Sequence, residues 1–132
     1  MVIEQGSNYI ELEISSPAPG SRARRTSVGA ACGEFRGVRA EVWLEPGELE
    51  GFLEDLRGLE KARKGRATLS AEDPRDFQLT IASIDRSGHL EVSWKVAVQN
   101  TDASASIDVR FDLDASALPR ILRDFELIGA AA

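Results

Sequence analysis

Apolar and polar residues alternate at strand spacing through much of the chain. In Tyr9-Ile10-Glu11-Leu12-Glu13-Ile14 the residues Ile10, Leu12 and Ile14 share one face and the charges share the other, which predicts a half-buried strand. A weaker strand is expected around Thr26 to Cys32, and a clearer one from Val38 to Leu44. In the latter Val38, Ala40, Val42 and Leu44 are expected inward and Arg39, Glu41 and Trp43 outward. Three more strands are expected at Arg66 to Ala71, Phe77 to Ile84 and Leu90 to Val98. A last one, Ile107 to Leu113, turns Ile107, Val109, Phe111 and Leu113 inward. Asp85-Arg86-Ser87-Gly88 reads as a hairpin turn, and Ser15 to Arg22 as an exposed loop.

The period changes to that of a helix in two places. Glu45-Pro46-Gly47-Glu48 predicts a helix start, because Pro suits the first turn and acids suit the positive end of the dipole. Leu49, Phe52, Leu53, Leu56 and Leu59 then form one stripe, which ends at Lys61, Arg63, Lys64 and Gly65. Asp114 or Ser116 is expected to cap a second helix to about Ile128, with the stripe Leu118, Ile121, Leu122, Phe125 and Ile128 and with Pro119 in its first turn. The stretches Leu44 to Leu56 and Leu113 to Phe125 match in apolar pattern. Convergence on one strand-to-helix spacing explains a single such pair. The fold class expected is α+β in one domain over residues 1–132, a mostly antiparallel sheet of six to seven strands with two amphipathic helices packed on one face.

Composition narrows the function classes. At 132 residues and a net charge of −6 the chain disfavours nonspecific nucleic-acid binding and suits a basic partner, and no apolar run approaches the length of a membrane span. The N-terminal residues lack the charged and apolar regions of a signal peptide, and the lone Cys32 excludes an internal disulfide, so a cytoplasmic location is expected. Cys32 among Gly29-Ala30-Ala31 and Gly33 reads as a small buried filler. His89 is the only histidine, so a zinc or histidine acid/base site has little to build from. Asp108, Asp112 and Asp114, and Glu72, Asp73 and Asp76, read as surface charge, and Arg22, Arg24 and Arg25 as part of a solvated loop. No catalytic, cofactor-binding or metal-binding residues are assigned, no cofactor is implied, and the chain reads as a non-enzyme.

Two features suggest protein binding. Glu48, Glu50, Glu54 and Asp55 make the solvent face of the first helix acidic. Trp43 is either an exposed anchor or packs under a neighbouring loop, and both readings stay open. Pairing of two copies through a strand edge, a small-ligand pocket and a carboxylate-based enzyme are the competing classes.

Several segments carry a resemblance. Phe52-Leu53-Glu54-Asp55-Leu56, Lys64-Gly65-Arg66-Ala67-Thr68-Leu69-Ser70, Phe77-Gln78-Leu79-Thr80-Ile81, Gly88-His89-Leu90-Glu91-Val92, and Val109-Arg110-Phe111 leading to Leu118 and Leu122 are similar to the WapI-type immunity protein family of bacteria. The resemblance covers residues 38–128 and leaves the N-terminal third unaligned. It implies a cytoplasmic protein that binds and blocks a toxin domain, nuclease-like, and it brings no catalytic residues.

Overall fold

Each stretch of alternating residues pairs with its neighbour in sequence, so the chain builds two antiparallel meanders, each closed by a helix. The computed structural model describes residues 1–17, 20, 23–85 and 87–130, and for Ala40 the backbone alone. The first meander comprises β1 (Val2–Gln5), β2 (Asn8–Ile14), β3 (Arg24–Cys32) and β4 (Phe35–Leu44), followed by α1 (Glu48–Ala62). The second comprises β5 (Arg66–Ser70), β6 (Phe77–Ser83), β7 (His89–Gln99) and β8 (Ser104–Asp114), then a 3-10 turn (Ala115–Ala117) and α2 (Leu118–Ala130). Strand order in each sheet follows chain order. The α+β class and the two helices agree with the pattern. The described strands number eight, in two sheets of four.

The extra strand is β1. It is short, and its hairpin to β2 has the two-residue loop Gly6-Ser7, with Gly6 at φ 62°. Gly33-Glu34 joins β3 to β4 the same way, with Gly33 at φ 59°. A positive φ at the first loop position is what type II′ hairpins need, and glycine supplies it without a Cβ clash.

One core serves both sheets and both helices. Ile3, Ile10, Leu12, Val28, Val42 and Leu44 enter it from the first sheet, and Leu69, Leu79, Ile81, Val92, Trp94 and Phe111 from the second. The helices add Leu49, Phe52, Leu53, Leu56, Leu59, Leu118, Ile121 and Phe125. Phe52 and Phe125 meet edge to face at 4.8 Å and join the helices across the core.

A β-bulge corrects part of the expected pattern. Thr26 pairs with Val42, but Val28 pairs with Arg39, so Ala40 and Glu41 together oppose Ser27. An extra residue reverses the alternation beyond it. Val42 and Leu44 are therefore buried as expected, whereas Val38 faces solvent at 73% exposure. Arg39 turns from the expected outer face toward the second sheet, where its Nη1 donates to the Ala97 carbonyl at 2.9 Å. Gly37, also turned inward, permits the close approach: a Cβ there would lie 2.9 Å from Ile107 Cγ2.

Smaller corrections share one cause, position at the end of an element. Val98 and Ile84 lie beyond the covered parts of β7 and β6 and are exposed. Cys32, at the end of β3, is half-buried instead of buried. Pro46 precedes α1, whose N-cap is Gly47. Arg63 adopts a left-handed C-cap conformation with φ 56°. Asp114 caps the 3-10 turn by accepting from the Ser116 amide at 2.8 Å. Residues 18, 19, 21 and 22 of the 15–22 loop, Arg86 in the hairpin turn and the last two alanines lie outside the described residues.

Candidate functional site

The sequence-predicted contact residues fall at separate places along the β4–α1 junction. Trp43 ends the outer row of β4 and is 41% exposed. Its Nε1 donates to Glu41 Oε1 at 3.1 Å, and Glu41 also faces Arg25 at 3.8 Å. Its carbonyl accepts from the Glu72 amide, which ties β4 to the β5–β6 loop. Trp43 thus forms one wall of an open cleft of about 440 Å³ lined by Arg39, Glu41, Glu72, Asp73 and Asp76, partly exposed and partly packed beside the β5–β6 loop.

The acids of α1 divide by role. Glu48 is half-buried and its Oε1 accepts from the Ser70 amide at 2.8 Å, so it pins the helix start to the end of β5. Glu50 lines a different cavity, with Arg24, Glu45 and Gly47. Glu54 and Asp55 are fully on the solvent face. The structure therefore does not gather the five candidates into one pocket.

Two arginines expected in a solvated loop belong to β3. Arg25 faces out, whereas Arg24 pairs with Leu44 on the inner row and is 6% exposed. Its Nη1 donates to the Ser15 carbonyl at 3.4 Å.

The groups with shifted pKa values lie at the surface and owe their shifts to local turn contacts. The His89 side chain meets Asp85 Oδ2 at 2.7 Å, which raises the imidazole and lowers the carboxyl. Asp85 Oδ1 also accepts from the Ser87 and His89 amides, closing the β6–β7 hairpin as an Asx turn. Hydrogen bonds from the Arg75 side chain hold Asp73 low, and the Ser116 amide does so for Asp114. Asp76 lies 3.7 Å from Arg39 Nη2. These contacts give Asp73, Asp76, Asp85, His89 and Asp114 structural work. Among the described residues no group of three or more His, Cys, Asp or Glu is arranged to hold a metal ion, and no helix is long and apolar enough to cross a membrane.

The open face of the first sheet holds a feature that alternation alone does not single out. There Glu11 and Glu13 on β2, Ser27 and Gly29 on β3, and Val38 on β4 surround a notch of about 230 Å³. A glycine in mid-strand beside alternating glutamates was the available signal.

Fold and surface together define an α+β domain that carries its polar chemistry on open sheet faces and turn-locked loops. The chain belongs to the Immunity protein WapI-like family, which it matches over residues 1–131. That match includes the N-terminal third that the resemblance left unaligned. Membership carries a toxin-neutralising binding role, with a toxin as the class of partner. No curated protein and no solved structure matches the chain.

Proposed function

We propose that the chain is a cytoplasmic immunity protein that binds a basic, nuclease-like toxin domain in one-to-one ratio and blocks it by covering its active surface, without turnover. The observation that carries this reading is the family match over residues 1–131. The net charge of −6 supports it, because an acidic inhibitor attracts a basic enzyme, and complementary charge speeds association and orients docking. In this reading Trp43 is a contact anchor. Glu54 and Asp55, exposed on α1, act at longer range by steering the approach, while Glu48 holds the helix in place and Glu50 flanks it.

The test is co-expression of the chain with the toxin domain encoded in its genomic neighbourhood, followed by copurification at low and high salt. The expected result is rescued growth and a one-to-one complex that weakens as salt rises, with Trp43→Ala and Glu54→Lys each reducing retention. Failure to rescue growth together with failure to copurify would refute the reading.

A further inference from the structure

The two open sheet faces differ in what they present. On the second sheet Thr68 bonds Thr80 and Gln78 bonds Ser70, and beside them the cross-strand neighbours Lys95 and Asp108, with Arg110, mix charges of both signs. On the first sheet one row runs Val2, Glu11, Gly29, Val38 across all four strands. Glu11 and Glu13 are exposed and have no ion-pair partner among the described residues. Their spacing on one face of β2 separates them by roughly 7 Å, a span that a single guanidinium or ammonium group reaches from both sides.

Gly29 lacks the usual reasons for a glycine within the fold. Its φ is not positive, and a Cβ built on it would meet nothing within 4 Å. A glycine inside a strand weakens it, so bare backbone there leaves room for a group from outside. Beside it the bulge turns Val38 outward, placing an apolar surface where alternation had put a core residue. The notch thus has a floor of flat strand backbone at Gly29, an apolar side at Val38 and an acidic rim. This is complementary to a long basic side chain, whose methylene stem lies on apolar surface while its charged head meets carboxylates.

We propose that this notch receives a lysine or arginine side chain of the toxin domain, with the stem over Gly29 and Val38 and the cation between Glu11 and Glu13. The inference rests on the immunity reading and adds to it the contact that sets the lifetime of the complex. Acids on α1 change how fast partners meet, whereas a seated charge changes how slowly they part.

The experiment measures association and dissociation rates of the catalytically inactivated toxin domain with the wild-type chain, Gly29→Val, the pair Glu11→Gln and Glu13→Gln, and the pair Glu54→Gln and Asp55→Asn. Circular dichroism and thermal melting establish that each variant is folded. Gly29→Val fills the notch at a position where the fold has space, so it keeps its stability. The expected result is dissociation faster by about ten- to a hundredfold for Gly29→Val and for the Glu11/Glu13 pair, the scale of lost charge-assisted hydrogen bonds. The α1 pair changes chiefly the association rate.

Unchanged dissociation of the Gly29→Val complex overturns the notch and leaves the immunity reading standing. Absence of wild-type binding overturns both. Sedimentation of the chain alone decides against a second copy as occupant. If the wild type is a dimer that Gly29→Val dissolves, the toxin assignment of the notch is overturned.

Discussion

Residues 1–62 and 66–130 each run four antiparallel strands into a helix, yet the two halves fill that plan with different side chains. In the second half β7 and β8 pair without a bulge over eleven residues, and Val92, Trp94, Val109 and Phe111 pack a thick inner face. In the first half the inner row carries Arg24, Thr26, Ala30 and Gly37, and a bulge interrupts β4. The small residues let β4 settle against β7 and β8, while the bulge spends the other face on exposed Val38. Like architecture therefore serves unlike tasks: the second half supplies bulk to the core, and the first gives up bulk for close sheet contact and an outward surface. Convergence on one strand-to-helix spacing accounts for the matched Leu44 and Leu113 junctions, but four strands in the same order before each junction exceed what that spacing demands.

The comparison requires that the halves share one core, and the Phe52–Phe125 contact is the place to break it. Both rings are fully buried, so Phe125→Ala is expected to destabilise by about 3–5 kcal/mol. Urea unfolding of the wild type should be a single transition, and a double-mutant cycle with Phe52→Ala should give a coupling of about 0.5–1.5 kcal/mol. Two separated transitions would show that the halves are independent.

The glycines of the first half sharpen the point. Gly37→Ala forces a Cβ against the Ile107 methyl and is expected to destabilise by about 1–3 kcal/mol, with Ile107→Ala removing part of that penalty. Gly29→Ala, with open space around it, should instead stabilise by about 0.5–1 kcal/mol. Chemical denaturation of the two variants side by side measures the contrast, and equal effects would show that the sheets do not meet at Gly37.

Why the sequence announced one half better than the other follows from the same residues. Leu90, Val92, Trp94 and Val96 alternate without interruption, so period alone places them. Val38 lies in an equally regular string, and nothing local shows that Ala40 and Glu41 will share one partner, because a bulge is settled by the register of the neighbouring strand. Arg24 looked solvated because a cluster of arginines beside Pro and Gly reads as loop, whereas its burial follows from pairing with Leu44, twenty residues away. The acids of α1 were legible as a helix face. Of the notch only Gly29 and the alternating glutamates carry a sequence signal, since it joins residues of three strands and Val38 reaches it through that bulge. The N-terminal strand has a local signal in Gly6-Ser7, a two-residue hairpin loop between short alternating stretches.

Arg24 tests whether the odd inner row of the first half matters to stability. It pairs with Leu44 as Leu90 pairs with Leu113, so the second half places leucine where the first buries a cation. Arg24→Leu should stabilise by about 1 kcal/mol, because an apolar side chain replaces a desolvated charge whose described hydrogen bond is a long one to Ser15. Thermal melting checks this, and a loss of stability would mean that the guanidinium is more tightly held than the Ser15 contact accounts for.

The smallest effect concerns the turns. The halves differ in their second connection: residues 15–23 link β2 to β3, whereas the shorter 84–88 segment links β6 to β7 and is locked by Asp85 and His89. Because Asp85 raises the pKa of His89, the imidazolium contact contributes fully below the ordinary imidazole value of 6.5 and is lost as pH rises through the raised folded value. Because His89 and the turn amides lower Asp85, its contribution is present above the ordinary 3.8 and is lost as pH falls through the lowered folded value. Both hold together between about pH 4 and 6.5, so the hairpin is expected to be best ordered there. Asp85→Asn should bring the His89 midpoint in an NMR titration back toward 6.5, and Asp85→Ala should also speed amide exchange at Ser87 and His89, with little change at β2 or β3. An unmoved midpoint would assign the shift to the neighbouring carboxylates of β8, Asp112 and Asp114, and would make the lock a property of the sheet and not of the turn.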